Sequence, residues 1–85
     1  MVNNTHHIRE QLSDQEDSID RLAAEDGEFR AMCDDYDACV DALRYWAGSV
    51  ASGAEARVGE YRDLIEGLYE EITHTLDKYT KRRHQ

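Results

Sequence analysis

The sequence predicts an all-α protein built on an antiparallel, coiled-coil-like hairpin of two long helices. Three observations predict this fold. The 85 residues include no proline, whose ring would interrupt a helix. Apolar residues recur at alternating steps of three and four along two long stretches, which is typical of helices that each bury one face. A short uncharged segment between two glycines separates these stretches and predicts a tight connection.

The chain begins with a polar segment, residues 1–12, that we expect to be flexible or frayed, since Ile8 and Leu12 are its only apolar residues after Val2. The hairpin unit is predicted over residues 13–81, with a capping box of Ser13 and Glu16 at its start. Its first helix is predicted over about residues 14–47. Asp26-Gly27 is the weak point, because Asp26 could cap a new helical segment or lie within one slightly kinked helix. The sequence favours a continuous helix.

The connection is predicted at residues 48–53, where Gly48 is placed to end the first helix in a left-handed conformation. The second helix is predicted over about residues 54–81, with a basic tail at residues 82–85. A connection this short requires the two helices to pack antiparallel. The residues predicted to form the hairpin core are Ile19, Leu22, Phe29, Cys33, Tyr36, Val40, Leu43, Val58, Tyr61, Ile65, Leu68 and Ile72.

Each helix also carries apolar residues beside its core positions, more than a two-stranded hairpin can bury. A homodimer that forms a four-helix bundle would cover them, and a monomer with half-buried flanks is the alternative. Aromatic and apolar side chains outside a core are also common in protein interfaces. The candidate interaction surface consists of Met32, Tyr45, Trp46, Leu64, Tyr69 and Leu76.

The run Ile19-x-x-Leu22-x-x-x-Asp26-x-x-Phe29, followed by Tyr36, resembles the first helix of the YdcH-like family of short bacterial proteins. The segment from Glu60 to Ile72 is compatible with the family's second helix. The resemblance implies an antiparallel helical hairpin in a bacterial cytosolic protein of unknown function, with no catalytic residues. The Gly48–Gly53 connection and the lack of a proline near the start depart from the family pattern.

Charge and composition narrow the classes of partner and the cellular location. A net charge of −9 argues against binding to nucleic acid or to an anionic membrane. No stretch resembles a membrane span or the apolar centre of a signal peptide, so the prediction is a cytoplasmic protein. Cys33 and Cys39 do not face each other at a spacing of six on a helix and are predicted to be reduced.

No catalytic, metal, cofactor or small-molecule site is predicted. Acidic residues crowd the region from Glu25 to Asp41, but a calcium loop needs a central glycine in a non-helical segment. The acidic region is therefore interpreted as a solvated face or as a docking surface for a basic partner. The four histidines have no matching nucleophile, and no glycine-rich phosphate loop is present.

The predicted function is that of a non-enzymatic helical interaction module, which docks onto or regulates a larger protein. Two alternatives remain open. One is a nucleic-acid-associated regulator that uses the basic residues Lys78, Lys81, Arg82 and Arg83. The other is a small structural subunit of a larger enzyme complex.

Overall fold

A computed structural model describes residues 6–83, and its regular elements within that range are all helical. The elements are α1 (His6–Gln11), a 3-10 turn (Ser13–Gln15), α2 (Glu16–Glu25), α3 (Gly27–Ala47) and α4 (Ala54–Arg83). The all-α class is confirmed, and α3 and α4 pack extensively against each other. The architecture is not a strict two-helix hairpin, because α1 and α2 are additional helices. Residues 1–5 of the predicted frayed segment and residues 84–85 of the predicted tail lie outside the described range.

The chain breaks at Asp26, so the continuous helix predicted over residues 14–47 is wrong. Asp26 has an extended backbone, with φ −128° and ψ 108°. Its Oδ1 accepts hydrogen bonds from the backbone N–H groups of Glu28 at 3.0 Å and Phe29 at 3.3 Å. The side chain thus caps α3 and satisfies two donors that the helix itself cannot pair. The extended residue also turns the chain, so that α2 runs back along the hairpin.

Residues 6–25, which we call the arm, pack against the hairpin as a third helical layer. The structure here differs from the frayed segment expected from the sequence, because Ile8 and Ile19 are fully buried and Leu12 is nearly so. The arm contacts α3 through α1 and both hairpin helices through α2. Ile8 and Leu12 would not be enough to hold α1 in place by themselves. They are buried because they extend the apolar face of α2 and belong to the same core.

Polar contacts link the two helices of the arm and connect its carboxyl end to α4. The guanidinium of Arg9 donates to Glu16 at 2.8 Å and lies 3.5 Å from Asp20, so it links α1 to α2. The hydroxyl of Tyr79 donates to Glu25 at 2.9 Å, where α2 meets the end of α4. The predicted capping box does not form, because Ser13 lies in the 3-10 turn and the residue before α2 makes no side-chain cap.

The core lies between the arm, α3 and α4. Of the residues predicted for the hairpin core, those buried are Ile19, Leu22, Phe29, Cys33, Tyr36 and Ile72. Val40, Ile65 and Leu68 are half-buried against this core, whereas Leu43, Val58 and Tyr61 are half-buried nearer the connection. The sequence analysis missed four core residues, namely Ile8, Leu12, Ala23 and Leu76.

The connection between α3 and α4 occupies residues 48–53. Gly48 has φ −90° and ψ 0°, so the left-handed conformation predicted for it is wrong. Its N–H instead donates to the carbonyl of Arg44 at 3.2 Å and closes the last turn of α3. The positive φ falls at Gly53, at 86°, immediately before α4. A side chain at this φ would be strained, so glycine fits this position.

Candidate functional site

The predicted interaction surface is divided by the arm. Leu76 is only 1% exposed and belongs to the core, so its assignment to the surface is wrong. Tyr69 is half-buried on the same side, and its ring lies 6.4 Å from the ring of Tyr36. The physical reason is that the arm covers this flank of the hairpin. A segment of the same chain therefore occupies part of the surface that was predicted to contact a second protomer or another protein.

The opposite flank carries a second group of apolar residues, which we call the back face: Cys39, Trp46 and Leu64. Met32, which was also predicted for the interaction surface, is half-buried against the core. Cys39 follows Asp37 by two residues, which places their side chains about 200° apart on α3. Asp37 faces α1, so Cys39 and Trp46, seven residues later, point away from the arm. Leu64 lies about 140° from Tyr69 around α4 and points the same way. The arm therefore leaves the back face uncovered.

Exposed apolar side chains concentrate in the half of the hairpin nearest the connection. Tyr45 is 70% exposed, Leu64 is 53% exposed, and Val50 in the connection is fully exposed. The rings of Tyr45 and Trp46 meet edge to face with centroids 5.2 Å apart. Trp46 also lines a shallow cleft beneath the connection, together with Ala54 and Val58. We call this cleft, together with Tyr45 and Val50, the tip surface, and Leu64 lies in the adjoining back face.

The two thiols differ in environment. Burial, together with the nearby charge of Asp34, raises the pKa of Cys33 to about 12. The pKa of Cys39 is also raised, first by burial and then by the charge of Asp35. Both thiols are free, and Cys39 is the more accessible because it lies half-buried on the back face. A raised pKa keeps a thiol protonated and weakly nucleophilic at neutral pH, so neither thiol has the character of a catalytic cysteine.

His7 forms a contact that the sequence analysis missed. Its side chain is 6% exposed, and its Nε2 lies 2.9 Å from Oδ1 of Asp41 and 3.6 Å from Oδ1 of Asp37. The backbone N–H of His7 donates to the same Asp37 oxygen at 3.2 Å. Thirty residues separate His7 from Asp37. No local pattern in the sequence could have joined these residues, because the contact depends on α1 packing against α3.

The basic end of α4 is accompanied by carboxylates. Lys81 Nζ lies 3.2 Å from Asp77 one turn earlier. Arg82 lines a surface cleft together with Glu25 at the end of the arm and Asp26, the residue after it. These acidic neighbours lower the local positive potential, which a phosphate backbone would require. The geometry therefore adds nothing in favour of a nucleic-acid surface at this end.

Within residues 6–83, every helix is too short or too polar to cross a membrane. Comparisons of the chain with protein-family models, with curated proteins and with solved structures find no match.

Proposed function

We propose that this protein is a non-enzymatic helical interaction module that docks onto a larger protein through the tip surface and the adjoining back face. One observation carries the proposal: the large exposed apolar side chains Tyr45, Val50 and Leu64 all lie in the part of the hairpin that the arm does not cover. Exposing such groups to water is unfavourable, and an apolar surface next to aromatic anchors is typical of an interface.

The separation between the buried core and the tip surface supports this proposal. The arm, α3 and α4 together enclose a core that holds the fold, so the tip surface is not needed to fill it. Trp46 presents its ring at the cleft beside the exposed ring of Tyr45. Rigid aromatic side chains lose little conformational entropy on binding and often supply most of an interface's free energy.

The same proposal includes the cellular setting and the oligomeric state. A cytoplasmic location and membership in the YdcH-like family remain proposals, the second resting on the spacing of Ile19, Leu22, Asp26, Phe29 and Tyr36. Self-association through the back face also remains a proposal. In that arrangement a twofold axis would bring the back face of one protomer, with Leu64 and Trp46, against the same face of its partner.

Site-specific photo-crosslinking in cells tests the proposed surface. A photoreactive residue replaces Tyr45 in the tip surface or Leu64 in the back face, and Glu66 or Arg21 serves as the control position. Glu66 is exposed on the same half of α4 but points about 200° away from Leu64, and Arg21 is exposed on the arm. We expect one discrete product from positions 45 and 64 and none from the two controls.

The mass of the product identifies the occupant. Twice the mass of the chain means a second copy, and a larger mass means a different protein. Leu64→Asp should remove the product formed from position 45 without changing the helical circular dichroism, since Leu64 lies outside the core. Equal products from all four positions, or no product from positions 45 and 64, would contradict the proposal. A single product of fixed stoichiometry with an enzyme would favour the structural-subunit alternative.

A further inference from the structure

The buried contact between His7, Asp37 and Asp41 brings one imidazole and two carboxylates to a single point between α1 and α3. The three ligand atoms all lie within 4.8 Å of one another. Asp37 and Asp41 are four residues apart on α3, so both point towards α1. Imidazole nitrogen and carboxylate oxygen are the donors that zinc and related divalent transition metals use in proteins.

The distances fit a small ion. Zinc bonds of roughly 2.0 Å in tetrahedral geometry place neighbouring ligand atoms roughly 3.3 Å apart. The separations from His7 Nε2 are 2.9 Å to Asp41 and 3.6 Å to Asp37, which bracket that value. The ring of His7 is also held in place, since its side chain is buried and its backbone N–H donates to Asp37. Small shifts of the exposed Asp41 side chain would complete the ligand geometry.

Charge favours a cation at this point. Two carboxylates four residues apart on one helix face repel each other. Among the described residues, the ion pairs of Asp37 and Asp41 are with His7 alone, and neither involves lysine or arginine. Asp34 lies one turn earlier on the same stripe of α3, and its buried Oδ1 has no hydrogen-bond partner within residues 6–83. An imidazole can supply at most one N–H from Nε2, whereas a divalent ion would balance both carboxylates.

We infer that His7, Asp37 and Asp41 form a binding site for a divalent transition-metal ion of the zinc class. The ion lies between His7 Nε2 and the carboxylates of Asp37 and Asp41 and leaves its outer position to water, because the side chain of Asp41 is 65% exposed. Its ligands come from α1 and α3, so binding fastens the start of the arm to the hairpin. This site is separate from the tip surface and does not depend on the proposed function.

A second group of possible ligands, His6, His7 and Glu10, lies on α1 itself. His6 and Glu10 are both more than half exposed and already pair at 3.1 Å. A metal held there would not connect α1 with α3. The two sites make opposite predictions for variants of Asp41 and of His6, so a matched pair of substitutions separates them.

The test uses the full chain after treatment with a chelator. Zn²⁺ binding is measured by calorimetry, and Co²⁺ binding by its visible absorption spectrum. We expect one ion per chain. Asp41→Asn and His7→Gln should each weaken binding by at least about tenfold, since loss of an outer-shell partner alone costs about 10–100-fold. The control variant His6→Gln should bind as the original protein does. Asp41 is exposed, so its variant remains informative if His7→Gln fails to fold.

Hydrogen exchange measures the fastening of the arm. Zn²⁺ should slow exchange of the amides of α1 in the original protein but not in Asp41→Asn. The inference is overturned if binding is absent, or if His6→Gln abolishes it while Asp41→Asn does not. A strong sulfur-to-cobalt charge-transfer band would also overturn it, because Cys39 would then be the ligand. Binding without slower exchange of α1 would refute the fastening role.

Discussion

Asp26 occupies a position where the apolar spacing of the first long stretch calls for a buried side chain. The structure uses it at the surface of a break, where its carboxylate pairs with two backbone N–H groups. Its polar character is therefore explained by local hydrogen bonding. The sequence marked Asp26-Gly27 as the weak point but did not show whether the helix continues or breaks there. A helix cap and a glycine inside a helix each change stability by about 1 kcal/mol, so local preferences are balanced. In the structure the broken form allows α2 to contact α4.

The cap predicts a clear difference between two substitutions at position 26. Asp26→Ala should lower the free energy of unfolding by about 0.5–2 kcal/mol, because two N–H groups at the start of α3 lose their acceptor. Asp26→Asn keeps a side-chain oxygen and should have a smaller effect. Urea denaturation followed by circular dichroism gives both values. Equal losses in the two variants would mean that charge, not the cap, is the stabilising factor.

The buried thiol of Cys33 makes stability depend on pH under alkaline conditions. Its pKa rises from 9.0 to about 12 in the folded chain, through burial and then the charge of Asp34. Below pH 9 both states keep the proton, but between pH 9 and 12 only the unfolded chain loses it. The free energy of unfolding should therefore fall as the pH rises, by at most about 1.4 kcal/mol per pH unit from this group.

Urea denaturation midpoints at pH 8 and pH 10 check this expectation. Cys33→Ala should reduce the loss of stability between pH 8 and pH 10. Some loss should remain, because burial and the neighbouring Tyr69 also raise the pKa of Tyr36. An unchanged slope in Cys33→Ala would show that other groups cause the alkaline loss. Alkylation provides a second readout, in which Cys39 should react in the folded protein before Cys33.

At the scale of helices, the arm is the element that sequence periodicity describes least well. The two long helices were predictable because each repeats its apolar spacing over several turns. α1 has six residues and offers only His7 and Ile8 to the core, too few for a period to be recognised. Its position depends on contacts with residues about thirty positions away. The side-chain set at His7 and the burial of Leu76 were missed for the same reason.

Two leucines on α4 give the sharpest test of where the arm lies. Leu76→Ala should lower the free energy of unfolding by about 2–5 kcal/mol, because it leaves a cavity among the arm, α3 and α4. Leu64→Ala is the matched control and should change it by no more than about 0.5 kcal/mol, since an exposed side chain leaves no cavity. Thermal or urea unfolding measures both. Similar values for the two variants would contradict the position assigned to the arm.

At the scale of the whole molecule, the chain is an elongated body of 52 × 26 × 22 Å whose two halves differ. Three helical layers enclose the core at one end, and two helices alone continue to the connection at the other. The sequence indicated more apolar surface than two helices can bury, and the predicted covers were a second protomer or another protein, not a segment of the same chain. The apolar periodicity of a helix shows that one of its faces must be buried, but it does not show which segment buries that face.

The contact between Tyr79 and Glu25 joins residues 54 positions apart. Leu76 and Ile72, which the arm covers, are also near the carboxyl end of the sequence. During synthesis α2 therefore leaves the ribosome before the residues of α4 that cover it have been made. The buried face of Ile19 and Leu22 stays open to water until α4 follows. The order of the helices along the chain thus delays the burial of the arm behind the formation of the hairpin that covers it.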